Sequence, residues 1–264
     1  MPESGVIFET RETIGMVHLN NPKRANALSK FLVQDLADTV NKLKGATHLS
    51  AVIFTGGKSK AFCAGADLKE RQTMSEDEII EYVSFLRKTF AEIASLPMPT
   101  IAAIKGMALG GGCELALACD FRVMEEDAFI GLTEVSWGII PGAGGTQRLP
   151  QLVGVGKAKQ LIFTAEKLSG KQAYEIGLVE EICENGKAEL KALKIAELIA
   201  ENSLHSVRLA KRAVDSFDQT QMETGLQVEW DCYKKTIHHP DRLEGLAAFK
   251  EKRKPNYSNN KLKI

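Results

Sequence analysis

Hydrophobic and polar residues are distributed along this chain in a pattern that predicts short strands followed by amphipathic helices. The runs 6–10 and 14–19 are rich in apolar residues and are separated by a short polar turn, which predicts an antiparallel hairpin. Leucine and valine then recur at helical spacing through 27–44. The apolar run 51–57 predicts a buried strand of a sheet that is covered on both sides.

The alternation of strand and helix continues into the middle of the chain. Ser75 and Glu78 form a capping-box pattern at the start of a helix that stops before Pro97. The strand 100–104 is then expected to lead directly into three glycines and another helical segment. This repetition predicts right-handed β–α crossovers and a mostly parallel sheet in an α/β fold.

Beyond Pro150 the pattern changes, and only residues 178–182 are predicted to be extended. We therefore divide the chain into an α/β core, residues 1–200, and a helical C-terminal region, residues 201–264. The tail after Lys254 is expected to be frayed. The helices predicted in this part are 155–163, 169–176, 186–201, 203–215, 219–236 and 241–253.

Composition and charge exclude several classes of protein. The 34 basic residues balance the 34 acidic ones, so no overall positive field favours nucleic acid. No run approaches the ~18 uninterrupted apolar residues of a membrane span. The N-terminal segment lacks the pattern of a signal or transit peptide, and the five cysteines form no CxxC pair. We expect a soluble protein with reduced thiols, cytoplasmic and of bacterial type.

The most informative segment is GGGCELALACD at 110–120, which precedes Glu134 and the glycine-rich stretch 138–149. Glycines expose backbone N–H groups, so three of them before a helix are typical of a site for a developing oxyanion. Glu114 lies in an apolar segment, which predicts that its helix is buried. Burying a carboxyl costs free energy, so a buried glutamate suggests a functional role. Glu114 and Glu134 are thus candidates for an acid–base pair acting on water, although the glycines would equally suit a tight strand-to-helix turn.

Other catalytic chemistries lack their motifs. The sequence has no GxSxG elbow, and GVGK at 154–157 lacks the spacing and the hydroxyl residue of a phosphate-binding loop. The five histidines have no further metal ligands at workable spacing, so we expect structural histidines and no metal site.

Taken together, the motifs resemble the enoyl-CoA hydratase/isomerase (crotonase) family from end to end. A closer likeness, in ADLKER and DRLEGLAAFKEKR, is to the methylglutaconyl-CoA hydratase branch, one of whose members also binds AU-rich RNA. The resemblance implies a crotonase-like spiral of repeated ββα units with a helical C-terminal region that builds trimers, often paired into hexamers. The motifs that carry it are NNPKRANALS at 20–29, FCAGADLKE at 62–70, GGGCELALACD at 110–120, EVSWGIIPGAGGTQRLP at 134–150 and DRLEGLAAFKEKR at 241–253.

The resemblance also implies roles for residues of the site. The backbone N–H groups of Ala66 and Gly111 are expected to form an oxyanion hole for the thioester. Ionised Glu114 is expected to activate the water that attacks C3, and protonated Glu134 to deliver a proton to C2. Gly142 matches a glycine beside that water.

Coenzyme A enters as part of the substrate, and the resemblance implies no separate cofactor. Phe249 and Lys252 match an adenine and phosphate contact that a neighbouring subunit supplies. Trp137 either narrows the acyl pocket or packs in a core, and each lysine could equally be a solvated surface charge. The contacts implied for coenzyme A are Lys23, Arg24, Ala25, Ala64, Asp67, Leu68, Lys69, Phe249 and Lys252.

The presence of both glutamates favours hydration over isomerisation, because moving a double bond needs no added water. We expect reversible syn addition of water across the 2,3 double bond of a 2-enoyl-CoA, with crotonyl-CoA and 3-methylglutaconyl-CoA as first substrates. The pathway, β-oxidation or leucine breakdown, stays open. A double-bond isomerase is the alternative within the enzymes, and an assembly-only protein with an inactive site is disfavoured by the retained glutamates and glycines.

RNA binding is the alternative of another class. The helix 27–44 would have to present its lysines to phosphates, but it carries only three lysines against Asp35 and Asp38. This balance makes nucleic acid an unlikely partner.

Overall fold

The computed structural model describes residues 5–215 and 219–256, without the side chains of 219–222 and 225. Within these ranges, nine strands form one sheet of six strands and one of three. The strands are β1 (Val6–Arg11), β2 (Ile14–Leu19), β3 (Ala51–Thr55), β4 (Thr100–Ile104), β5 (Met107–Leu109), β6 (Phe121–Glu125), β7 (Phe129–Gly131), β8 (Leu168–Ser169) and β9 (Glu181–Cys183).

The larger sheet has the order β1-β2-β3-β4-β6-β9 and is parallel except at one edge. β1 and β2 pair antiparallel, with Val6 opposite Leu19, which confirms the predicted hairpin. The other neighbours in this sheet pair parallel, as expected of β–α crossovers. β3 and β4 are buried at every position, and their apolar runs therefore show no alternation.

Several helices begin at residues whose side chains cap them. Ser75 and Glu78 form the predicted capping box. The first helix begins at Lys30 rather than at 27, because the Ser29 side chain accepts a hydrogen bond from the Leu32 N–H and caps it there. The helices of the described ranges are α1 (Lys30–Lys44), α2 (Leu68–Arg71), α3 (Glu76–Ala94), α4 (Gly111–Leu117), α5 (Gly145–Val153), α6 (Val155–Thr164), α7 (Gly170–Glu175), α8 (Ala188–Ala200), α9 (Leu204–Asp215), α10 (Gln219–Ile237) and α11 (Pro240–Glu251), with 3-10 turns at Pro22–Arg24 and Glu134–Trp137.

Two expectations about the strands are wrong. β4 does not lead directly into the glycines, because β5 intervenes and joins β7 and β8 in the smaller sheet. The extended segment predicted at 178–182 is reduced to β9, which begins at Glu181. Strands of two or three residues are too short to show a periodicity in the sequence.

The C-terminal helices pack on the part of the core that carries the glycine-rich segments. α10 contacts α3 and α5, and α11 contacts the 3-10 turn at Glu134–Trp137. The boundary at residue 200 stays a prediction, and most of the tail predicted to fray, residues 257–264, lies outside the described residues. Among the helices that the structure describes, none combines the length and apolar character needed to span a membrane.

Candidate active site

A cavity lies where the loop before α2, the start of α4 and the turn at Glu134–Trp137 meet. All the residues predicted for catalysis, the oxyanion hole and the water and acyl pocket line this cavity. Of the predicted coenzyme A contacts, Ala64 and Leu68 also line it. The first set is Glu114, Glu134, Ala66, Gly111, Gly142 and Trp137. Its walls are otherwise mostly apolar, supplied by Val83, Leu86, Ile139 and Ile140.

The loop that carries Ala66 runs directly beside the first residue of α4. A Cβ placed on Gly65 would lie 3.5 Å from the Gly111 nitrogen and 2.5 Å from the Leu109 carbonyl oxygen. Gly65 also has a φ of +92°, so both its backbone and its surroundings require glycine. Within the described ranges, neither the Ala66 nor the Gly111 N–H donates a hydrogen bond. Two neighbouring donors without acceptors at a cavity are what an oxyanion hole needs.

Glu114 is held by the backbone at the start of α5. Its Oε1 accepts hydrogen bonds from the N–H groups of Ala143, at 2.8 Å, and Gly145, at 2.9 Å. Burial raises the pKa of Glu114 to about 7, with the nearby Glu229 carboxyl adding to the rise and the two N–H donors opposing it. A carboxyl with a pKa close to neutrality suits a general base.

Glu134 has the opposite surroundings. It is 8% exposed, and neither of its carboxyl oxygens has a hydrogen-bond partner. Burial first, and then the charge of Glu114, raise the pKa of Glu134 well above its ordinary value. An unpartnered, buried carboxyl keeps its proton, so Glu134 is suited to act as an acid while Glu114 acts as a base.

Glu229 on α10 belongs to the same network, and the sequence analysis did not identify it as a site residue. Its side chain is 2% exposed. It accepts hydrogen bonds from the N–H groups of Gly144, at 2.7 Å, and Thr146, at 3.0 Å, and from the Thr146 hydroxyl. Successive N–H groups of residues 143–146 thus alternate between Glu114 and Glu229. Glu229 fixes the backbone that holds Glu114, and its charge raises the pKa of Glu114.

Replacing Glu229 by glutamine is expected to shift the acid limb of the pH profile of kcat/KM to lower pH. The base must be ionised, so activity rises as the pH passes the pKa of Glu114, and removal of a negative neighbour lowers that pKa. The exposed Glu223 on the same helix supplies the control, Glu223→Gln, with an unchanged limb. A limb in Glu229→Gln that coincides with the wild type would rule out this coupling.

The loops expected to hold coenzyme A are joined by hydrogen bonds. The Ala64 N–H donates to the Ala25 carbonyl at 3.0 Å. The buried Asn26 amide donates to three carbonyl oxygens of segment 56–62 at 3.0–3.2 Å. Asp67 caps α2 and pairs with Arg24, so its carboxylate is engaged within the chain. This geometry favours a positioning role for Asp67 over direct contact with coenzyme A.

Of the other residues predicted to contact coenzyme A, the lysines are exposed and Phe249 is partly buried. Lys23, Lys69 and Lys252 are exposed, which suits both a phosphate contact and a solvated charge. Phe249 packs edge-on against Trp137 of its own chain, with ring centroids 5.5 Å apart. α11 lies beside the turn at Glu134–Trp137 of its own chain, and the contact of Phe249 and Lys252 with coenzyme A bound to a neighbouring subunit stays a prediction.

Shortening Trp137 to leucine is expected to favour longer or branched acyl chains. Trp137 lines the cavity, and a change of a few carbon atoms in an apolar pocket alters discrimination by about tenfold or more. The measurement is the ratio of kcat/KM for a longer and a shorter 2-enoyl-CoA. Phe31→Leu, at an exposed aromatic residue of α1, is the control. An unchanged ratio in Trp137→Leu would contradict a role in chain length.

Comparison with known proteins decides the family. The model of the family "Enoyl-CoA hydratase/isomerase" matches residues 9–260. The chain belongs to the enoyl-CoA hydratase/isomerase family. It is 46% identical over 257 residues to a putative enoyl-CoA hydratase/isomerase of Bacillus subtilis (strain 168), covering 97% of this chain and 99% of that protein. It is also 45% identical over 253 residues to human mitochondrial methylglutaconyl-CoA hydratase, covering 94% of this chain and 75% of that protein.

Solved structures of the family agree with the fold. The crystal structure of an enoyl-CoA hydratase from Bacillus anthracis is 48% identical, with a TM-score of 0.80, and the match covers 96% of this chain and 98% of that one. The crotonase fold and membership of an enzyme family are thereby established. Within the described residues, no group of three or more His, Cys, Asp or Glu side chains is placed to hold a metal ion.

Proposed function

We propose that this enzyme hydrates short-chain 2-enoyl-CoA thioesters to 3-hydroxyacyl-CoA. The observation that carries the proposal is the contrast between two buried carboxyls in one cavity, Glu114 held by two N–H donors and Glu134 held by none. Addition of water needs a base for the water and an acid for the carbon skeleton at the same time. Isomerisation needs only a carboxyl that moves one proton.

In this proposal the substrate carbonyl oxygen accepts hydrogen bonds from the Ala66 and Gly111 N–H groups. Their donation stabilises the negative charge that develops on that oxygen when C3 is attacked. Oε1 of Glu114 is engaged by two backbone donors, which leaves Oε2 to take a proton from the attacking water. Glu134 gives its proton to C2. One carboxyl gains the proton that the other loses, so the sum of the steps is the addition of one water molecule.

Gly142, which the resemblance implies to lie beside the water, forms part of the cavity wall next to Tyr233. A Cβ at this position would lie 2.6 Å from the ring of Tyr233, so the glycine allows this aromatic wall to stand close to the backbone. Tyr233 and Gly142 line the cavity together with both glutamates.

The test is loss of the ultraviolet absorbance of the enoyl thioester with purified protein, on crotonyl-CoA and on 3-methylglutaconyl-CoA. Rapid loss with formation of the 3-hydroxyacyl thioester on either substrate supports the hydratase. Conversion to a 3-enoyl thioester without added water would replace it by the isomerase. No reaction on either would contradict the proposed substrate class.

Nucleic-acid binding is not favoured by the surface of α1. Lys30 pairs with Glu78 at 3.3 Å, and Lys44 pairs with Glu92 at 3.2 Å. Both cations therefore have carboxylate partners on α3, which lowers their value for phosphate contacts.

We also propose a trimer or a pair of trimers, located in the cytoplasm. Apolar side chains that are exposed in the single chain support the assembly, among them Leu198 on α8, Leu209 and Val214 on α9 and Val228 on α10. The Bacillus subtilis relative, matched over 99% of its length, supports a bacterial type of location. Light scattering at several protein concentrations tests the assembly.

A further inference from the structure

Arg71, the last residue of α2, is a charged group in the cavity that the proposed reaction does not use. It is 8% exposed and lines the same cavity as Glu114 and Glu134. Among the described residues that line this cavity, it is the one cationic side chain. Charged side chains of this kind are rarely buried unless they are paired.

The contacts of the Arg71 guanidinium hold it in place without supplying a negative charge. One of its terminal nitrogens donates to the Tyr233 hydroxyl at 3.2 Å, and the group lies 4.4 Å from the centre of the Tyr82 ring. Its Nε is buried and has no hydrogen-bond partner. No carboxylate of the described residues comes within 4.0 Å of it. A buried cation without a counter-ion is costly, so an anion is expected to complete the site.

The two catalytic carboxyls do not fill this role. Neither carboxyl oxygen of Glu134 has a hydrogen-bond partner, so Glu134 does not pair with Arg71. Glu114 is held instead by the backbone of Ala143 and Gly145.

Tyr233 adds a second donor beside Arg71. Its hydroxyl accepts from Arg71, and the hydroxyl proton has no acceptor in the part of the chain that the structure describes. Tyr233 is buried and lines the cavity. A guanidinium and a phenol that each have an unused hydrogen-bond donor suit a carboxylate, which accepts hydrogen bonds on two oxygens.

The position of Arg71 in the cavity indicates which part of the substrate would carry the anion that it binds. The predicted coenzyme A phosphate contacts Lys23, Lys69 and Lys252 are exposed, whereas Arg71 lies inside among apolar walls such as Val83 and Leu86. An acyl chain belongs against such walls.

We propose that Arg71, assisted by Tyr233, binds a carboxylate at the far end of the acyl chain, so that the enzyme prefers 2-enoyl-CoA thioesters with an acidic tail over neutral ones. This inference rests on the proposed hydratase function and names the substrate class of that site. It makes Arg71 a residue that determines specificity, whereas the glutamates carry the addition of water.

The test compares glutaconyl-CoA, whose acyl chain ends in a carboxylate, with its neutral methyl ester and with crotonyl-CoA. Wild-type kcat/KM is expected to be about 10–10²-fold higher for glutaconyl-CoA than for the ester, as hydrogen bonds to a charged group would give. In Arg71→Met this preference is expected to fall to near unity while crotonyl-CoA is still hydrated. Arg71→Lys, which keeps the charge but not the fork of donors, is expected to retain part of the preference.

Arg87→Met is the matched control, because the Arg87 guanidinium also lies over an aromatic ring, that of Trp230, but does not line the cavity. It is expected to keep the wild-type preference. Equal rates of the wild type on glutaconyl-CoA and its ester would overturn the inference, even if the Arg71 variants fail to fold. Equal loss on all three substrates in Arg71→Met would assign Arg71 a structural role instead. Failure of the wild type to hydrate any of the three would overturn the proposed function itself.

Discussion

Replacing Glu114 by glutamine is expected to lower the rate of hydration by about 10²–10⁴-fold, the range of a general base. The amide oxygen of glutamine can still accept from the Ala143 and Gly145 N–H groups, so the backbone around it is expected to stay in place. What the amide cannot do is take a proton from water. The measurement is kcat for the loss of enoyl-thioester absorbance on the best substrate, with the melting temperature recorded in parallel.

A matched control separates this effect from the loss of a surface charge. Glu81→Gln changes an exposed glutamate of α3 in the same way and is expected to leave kcat unchanged. A loss of less than about tenfold in Glu114→Gln, with a folded protein, would withdraw the role of Glu114 as base.

Glu134→Gln is expected to lower the rate of hydration by a similar factor, because glutamine is neutral like the protonated acid but has no acidic proton to give.

The same substitution is expected to stabilise the folded protein relative to the wild type as the pH rises. The folded-state pKa of Glu134 is raised above the ordinary value of 4.5, so this carboxyl favours the folded state most at low pH and loses that contribution as the pH rises. Glutamine does not titrate.

The melting temperature of Glu134→Gln relative to the wild type is therefore expected to increase from about pH 5 to about pH 8. Thermal melts of both proteins across this range are the measurement. A difference that stays constant, or that falls with pH, would show that Glu134 is not held neutral by burial. Retained hydration in the variant would exclude Glu134 as the acid.

The sequence predicted those parts of the fold whose signals are local. The burial of β3 and β4 follows from uninterrupted apolar runs, and the start of α3 follows from the Ser75–Glu78 capping box. β8 has two residues and no periodicity of its own, since its pairing with β7 is what defines it. Such strands exist because of their neighbours, and a local pattern cannot predict them.

The sequence likewise identified some residues of the candidate site and missed others. Glu114 and Glu134 are recognisable because each lies in a glycine-rich or apolar setting that makes a carboxyl unusual. Glu229 lies in a largely polar helix, where a glutamate looks like an ordinary surface residue until α10 packs on α5. Arg71 looks like a charge at the end of a short helix, and its contacts with Tyr82 on α3 and Tyr233 on α10 form only in the folded chain. Residues whose role depends on a distant helix carry no signal in their own segment.

Hydration by Glu114 and Glu134 is tested by following the oxygen atom when purified protein converts crotonyl-CoA in water enriched in heavy oxygen. We expect a 3-hydroxybutyryl thioester that carries the heavy oxygen on C3, as mass spectrometry of the acyl fragment would show, and little such product from Glu114→Gln. An unlabelled product with a shifted double bond would rule out hydration, and labelled product formed equally well by the Glu114 variant would rule out Glu114 as the base.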